Sequence, residues 1–200
     1  MQSTFFRKIR FHFHVQIVDH AVLRLCWPNL DKVDGCEKAF RSGHPNFRML
    51  RKLKNRGVTT ILNLRGGEHK PQNILEQMHC EMLNLEYKNI QLSSVKLPSK
   101  DVLLDLVEFY EHQTDPFLMH CKTGADRTGL ASGVYLMVVK NVSAELASKQ
   151  LTTKYLHFGL GRKAILRKFF HCVEKTKLEG QSFKEWVKNI YDPKLITHEV

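Results

Sequence analysis

The stretch FLMHCKTGADRTGLASGVYLMVV, residues 117–139, constrains this chain more than any other. FLMH (117–120) is a short apolar run behind Pro116, and that reads as a central strand. LASGVYLMVV (130–139) is apolar on nearly every side, the mark of a helix buried all round. Between them lie a cysteine, a glycine and an arginine, with Arg127 six residues after Cys121. A strand that enters the core, turns through a glycine loop and leaves as a buried helix is the unit of an open α/β sheet. In such sheets ligands bind beyond the carboxyl ends of the strands.

The flanking sequence repeats the alternation. KAFRS reads as a short strand, followed by the Gly-His-Pro turn at 43–45. FRMLRKLKNRG predicts a helix with Leu50 and Leu53 inward and Gly57 as its stop. VTTILNL (58–64) is rich in β-branched residues and predicts a buried strand, and EYKNIQL (86–92) predicts a second core strand. ILEQMHCEML places Leu75, Met78 and Met82 on one helical face. KDVLLDLVEFYEHQ spaces Leu103, Leu106, Val107 and Tyr110 as an amphipathic helix. Ser143 reads as a cap, 162–176 as a basic helix, and SFKE (182–185) as a capping box. The expected fold is therefore α/β: a single domain with a central, mostly parallel β-sheet flanked by helices and a helical C-terminal half. Residues 1–35 are expected to form an N-terminal basic extension and 36–200 the domain proper.

Charge narrows the partners without choosing among them. There are 31 basic and 20 acidic residues, a net charge of +11, so the surface favours anions. Five scattered cysteines without a C-x-x-C pair fit a reduced, cytoplasmic protein, and no finger-like spacing suggests zinc. His12 and His14 flank Phe13 in strand-like alternation. Residues 1–14 carry Arg7, Lys8 and Arg10 among aromatics and no carboxylate. They read either as an arm peripheral at a membrane, in contact with its anionic surface, or as a helix packed on the domain. No apolar run approaches the roughly 18 residues needed to span a bilayer.

A glycine loop entering a helix points backbone N–H groups at an anion, and the same field acts on Cys121. Such surroundings lower a cysteine pKa from about 8.5 to roughly 3.5–7.5. Arg127 adds a planar fork able to hold two phosphoryl oxygens. A ready thiolate and a cradle for a tetrahedral oxyanion describe phosphate-ester cleavage through a cysteinyl-phosphate.

The pattern His120-Cys121-x-x-Gly124-x-x-Arg127-Thr128-Gly129 resembles the signature loop of the cysteine-based protein tyrosine and dual-specificity phosphatases. FRSGHP and GVTTILNLRG also look like the entry to compact, bacterial-type domains of that superfamily, so the resemblance covers residues 36–155. It implies Cys121 as nucleophile, Arg127 as phosphate clamp and Thr128 as the hydrogen-bond donor that helps the thiolate leave. It also implies a cradle of backbone N–H groups from Lys122, Thr123, Gly124 and Ala125 through to Arg127. His120 would brace the loop, and no metal or cofactor is implied. The expected substrate is a phosphorylated protein or an inositol phosphate, and nucleic acid is not an expected partner.

One part of the pattern is missing. These enzymes carry a general-acid Asp on a loop upstream of the cysteine, yet YKNIQLSSVKLPSK (87–100) has no acidic residue. Asp101 follows it, where the first turn of a helix also suits an acid. Asp126 lies inside the signature loop, as in the myotubularin lipid phosphatases, and is preferred to Asp101 as the proton donor, the other reading being a salt-bridging brace. Lys122 resembles the lysine of phosphoinositide 3-phosphatases, and equally a solvated surface lysine. Arg65, at the end of the second strand, reads as a pocket residue or an ion-pair partner. Three readings stay open: a protein phosphatase, an inositol phosphate or phosphoinositide phosphatase, and a phosphate-binding module of low turnover.

Overall fold

A computed structural model describes residues 29–198. Five strands form one sheet: β1 (Asp31–Lys32), β2 (Ala39–Ser42), β3 (Thr60–Asn63), β4 (Glu86–Asn89) and β5 (Phe117–His120). Their order is β1-β2-β5-β3-β4. Only β1 is antiparallel to its neighbour; the other pairings are parallel. The fold is the expected mixed α/β architecture, with FLMH as the middle strand. Asp31–Lys32 lie in the stretch assigned above to the extension, yet they pair with β2, and Val33 is fully buried. Residues 1–14, including His12 and His14, lie outside the described residues.

Strand alternation sorts the core into two layers. Along β5, Phe117 and Met119 enter one layer and Leu118 the other; along β3, Leu62 and Ile61 divide the same way. The smaller layer is closed by α1 (Phe47–Lys54), through Leu50 and Leu53, and by α2 (Pro71–Met82), through Cys80. The larger is covered by α3 (Lys100–His112), α4 (Asp126–Val139), α5 (Ala144–Ser148), α6 (Ile165–Thr176), α7 (Phe183–Asn189) and α8 (Pro193–His198). Two 3₁₀ turns, Thr153–Tyr155 and Gly161–Ala164, join α5 to α6. The helical C-terminal half is thus present, and Phe169, Phe170, Phe183, Trp186 and Tyr191 are buried in it.

α4 is buried along nearly its whole length, as its composition requires. Gly133 makes this possible: a Cβ there would lie 2.4 Å from Cζ of Phe170 on α6. The SFKE capping box forms, with Ser182 and Glu185 bonding each other's backbone N–H. No described helix is long and apolar enough to cross a membrane.

Two elements differ from expectation. β4 is an edge strand rather than a core strand, and its Glu86 and Lys88 are exposed. Polar side chains on an edge discourage pairing with another chain. α2 does not bury the Leu75–Met78–Met82 face: Met78 and Met82 are 51% and 72% exposed. It buries Gln72, Asn73, Glu76 and Cys80 instead, because this face supplies polar partners to the ends of β3 and β5.

Candidate active site

The register aligns both Ser42 of β2 and Asn63 of β3 with His120 at the end of β5. The chain then turns through Cys121–Ala125 into α4. Gly124 turns it at φ +77°, and a Cβ there would lie 2.6 Å from both the Ser42 carbonyl carbon and the Gly43 nitrogen. Only glycine fits so close to the β2–α1 connection.

Three successive carbonyls of this loop are held from outside. That of Lys122 accepts the His44 N–H at 3.2 Å. That of Thr123 accepts Asn29 Nδ2 at 2.6 Å, and that of Gly124 accepts Arg41 Nη2 at 3.0 Å. In a trans peptide the N–H points opposite the carbonyl, so the N–H groups of Thr123, Gly124 and Ala125 face inward. The Gly124 N–H accordingly donates to the Cys121 sulfur at 3.3 Å. Ala125 stands at the N-cap of α4 without any side-chain cap, so the positive end of the helix is left open toward the loop.

Cys121 is 1% exposed. Burial alone would raise its pKa, but Arg127, the Thr128 hydroxyl and N–H, and the Gly124 N–H bring it below the ordinary thiol value. Arg127 is half-buried, and its buried Nε meets no acceptor among the described residues. A buried donor without an acceptor is costly unless a ligand supplies one.

Behind the loop lie residues that sequence reasoning did not single out. Arg41, fully buried, bonds Gly124 through one nitrogen and Gln150 Oε1 (2.8 Å) and its carbonyl (3.2 Å) through the other. Its guanidinium stacks 3.6 Å over the Tyr155 ring. Burial lowers its pKa to about 10, which still leaves it charged at neutral pH. His120 Nε2 lies 2.8 Å from Glu76 Oε1, and His120 Nδ1 3.3 Å from the Cys121 carbonyl. Glu76 also approaches His44 Nδ1 (3.8 Å) and accepts from Asn63 Nδ2 (2.6 Å). Burial raises the Glu76 pKa, yet the two histidines outweigh it and hold the carboxyl below its usual range.

Asp126, 6% exposed, pairs with two partners: Oδ1 with His157 Nδ1 and Oδ2 with Lys163 Nζ, each at 2.8 Å. Burial opposes ionisation, but these two partners prevail and lower its pKa. Asp101 is exposed in the first turn of α3, whose cap is Ser99. Arg65 follows the end of β3, where its N–H donates to Asn63 Oδ1 at 2.7 Å and the Leu64 N–H donates to the His120 carbonyl at 2.8 Å. Lys122 is half-buried and Thr123 exposed at the rim.

This loop and sheet define a phosphatase of the protein tyrosine and dual-specificity class. The family model described as polymorphic toxin system, DSP-PTPase phosphatase, matches residues 36–141, more than half of the chain, and the chain belongs to that family. Solved structures share the fold. Tk-PTP in its active form is 20% identical, with a TM-score of 0.58 over 75% of this chain and 99% of that one. TpbA of P. aeruginosa, in complex with pTyr, is 17% identical, with a TM-score of 0.54 over 70% and 86%. The core catalytic domain of the PP-IP phosphatase SIW14 from S. cerevisiae, in complex with citrate, is 19% identical, with a TM-score of 0.52 over 86% and 91%. No curated protein matches the sequence.

The missed residues share one trait. Arg41, Asn63 and Glu76 are polar groups in segments that read as ordinary strand or helix. Asn63 and Arg41 carried the only available signal, a polar residue inside an otherwise buried strand pattern.

Proposed function

We propose that this protein hydrolyses phosphomonoesters through a cysteinyl-phosphate on Cys121, with phosphotyrosine or dual-specificity protein substrates as its first class. The observation that carries this reading is the outward anchoring of the Lys122, Thr123 and Gly124 carbonyls, which turns a row of N–H groups toward a thiol of lowered pKa.

The Cys121 thiolate attacks phosphorus, the bond from phosphorus to the ester oxygen breaks, and the released oxygen takes a proton. Arg127 and the inward N–H groups hold the equatorial oxygens as charge builds on them. Water then attacks phosphorus and the S–P bond breaks. Thr128 stabilises the departing thiolate, and inorganic phosphate leaves. His120 needs no role as a base, since the lowered pKa of Cys121 already favours the thiolate. Asp126, held by His157 and Lys163, serves as an ionised brace between α4 and the 157–163 segment; its lowered pKa works against donating a proton at neutral pH. Asp101 is the remaining candidate donor.

A second reading keeps the chemistry and takes inositol phosphates or phosphoinositides. Lys122 beside the nucleophile and the +11 charge favour it, as does the fold shared with a PP-IP phosphatase. The location we infer is cytoplasmic. The test is a turnover panel of phosphopeptides, inositol phosphates and phosphoinositides at fixed ionic strength, run beside Cys121→Ser. Turnover by Cys121→Ser near the wild-type rate would falsify the mechanism.

A further inference from the structure

The segment between the two 3₁₀ turns reads LHFGL. Leu156, Phe158 and Leu160 are 40%, 62% and 76% exposed, whereas His157 is fully buried. Three large apolar side chains at alternate positions thus point to water around one inward anchor. The backbone is bent to achieve this: Leu156 has φ +66°, an uncommon conformation for a bulky residue, and Gly159 and Gly161 have φ +62° and +55°. Local strain of this kind persists only where the surroundings enforce it.

The enforcement comes from the phosphate loop. His157 and Lys163, on either side of the apolar tip, both hold Asp126, the first residue of α4. Asn29 bridges the carbonyls of Thr123 and Tyr155, at 2.6 and 3.1 Å. The tip is therefore fixed beside the residues that frame Cys121. Residues 152–168 also carry Lys154, Arg162, Lys163, Arg167 and Lys168 and no Asp or Glu. Arg162 and Arg167 are exposed, as is Lys154, which pairs with Asp31 at 2.6 Å.

We infer that the 156–160 tip docks this face of the protein on an anionic phospholipid surface. Leu156, Phe158 and Leu160 enter the boundary between headgroups and acyl chains, and Arg162, Arg167 and Lys168 meet the lipid phosphates. Each side chain is exposed, and every charged residue in the surrounding stretch 152–168 is basic. That arrangement suits a laterally fluid interface better than a protein partner, which would need a shaped recess for each side chain. Apolar area and attraction to anionic lipid both add to such binding. Met78 and Met82, exposed apolar residues of α2, lie instead beside an acidic residue, Glu81. The docking does not depend on the phosphatase reading. Where both hold, docking brings the phosphate loop near the headgroup layer.

The test uses the full chain and vesicles of phosphatidylcholine with and without phosphatidylserine. The pair Phe158→Ser and Leu160→Ser leaves the charge unchanged and touches no catalytic group. Wild type is expected to bind the phosphatidylserine vesicles, and the double variant to bind them roughly tenfold or more weakly, while both hydrolyse a soluble aryl phosphate equally. Phe158→Trp is expected to gain fluorescence that brominated acyl chains quench. Absence of wild-type binding, equal binding by the double variant, or an unquenched Trp at 158 overturns the inference. So does binding that is lost on deleting residues 1–14 but indifferent to the loop pair.

Discussion

Glu76 on α2 holds His120 at the end of β5 at 2.8 Å, with both side chains wholly shielded from solvent. The contact ties the residue before the nucleophile to a helix on the opposite face of the sheet. Glu76→Gln keeps the shape and removes the charge. Breaking one partner from a buried pair costs roughly 3–5 kcal/mol, so a large loss of thermal stability is expected at pH 7. The folded carboxyl titrates below its unfolded value of about 4.3. Its stabilisation is therefore complete above that value and lost as the pH falls through the folded one. Melting curves of wild type and Glu76→Gln should converge only in that acidic range; a constant gap down to pH 2 would contradict the ionised assignment.

Cys121 is expected to react with iodoacetate at pH 6–7, where an ordinary thiol near 8.5 is almost wholly protonated. Arg127→Lys should raise the pH at which labelling begins and severely impair turnover, since an ammonium cannot make the bidentate contact. Cys121→Ser should still bind substrate. Vanadate should compete with substrate, and chelators should leave the rate unchanged; metal dependence after dialysis would point to other chemistry.

Asp126 and Asp101 separate on leaving-group dependence. Loss of a general acid typically costs 10²–10⁴-fold, and most with a poor leaving group. As a brace, Asp126→Asn should slow phenyl phosphates and alkyl phosphates by the same factor and lower the melting temperature. Asp101→Asn should slow alkyl esters selectively if α3 delivers the proton. A steep dependence on phenol pKa appearing only in Asp126→Asn would return the donor role to Asp126.

Arg41 lends the loop its geometry without touching substrate. Arg41→Lys keeps a charge but cannot reach Gly124 and Gln150 together. Each charged hydrogen bond lost contributes about 1.5–3 kcal/mol. Stability should fall, and kcat should fall more than KM rises, because the Ala125 N–H, misplaced with the Gly124 carbonyl, acts most in the transition state. Unchanged kcat with lowered stability would limit Arg41 to a structural part.

The strand–loop–helix unit around Cys121 was legible because its residue types follow from local rules: apolar strand, glycine turn, helix apolar all round. α3 and the SFKE cap were legible for the same reason. β1 was not, since two residues show no period. α2 misled because Leu75, Met78 and Met82 form the more hydrophobic face, while the histidine partners of Glu76, His44 and His120, lie distant in sequence. The ion pairs of Asp126 belong to the same category: His157 and Lys163 come more than thirty residues later, and periodicity does not report such closures.

The strand order carries a consequence for synthesis. Among the described residues, β1 pairs only with β2 and β4 only with β3, and β5 is the strand that joins the two pairs. A nascent chain ending before Phe117 holds two separate ribbons, each with an open inner edge. Such edges invite pairing with other chains. The ribosome must therefore deliver the stretch that ends at the nucleophile before the first half of the protein can close.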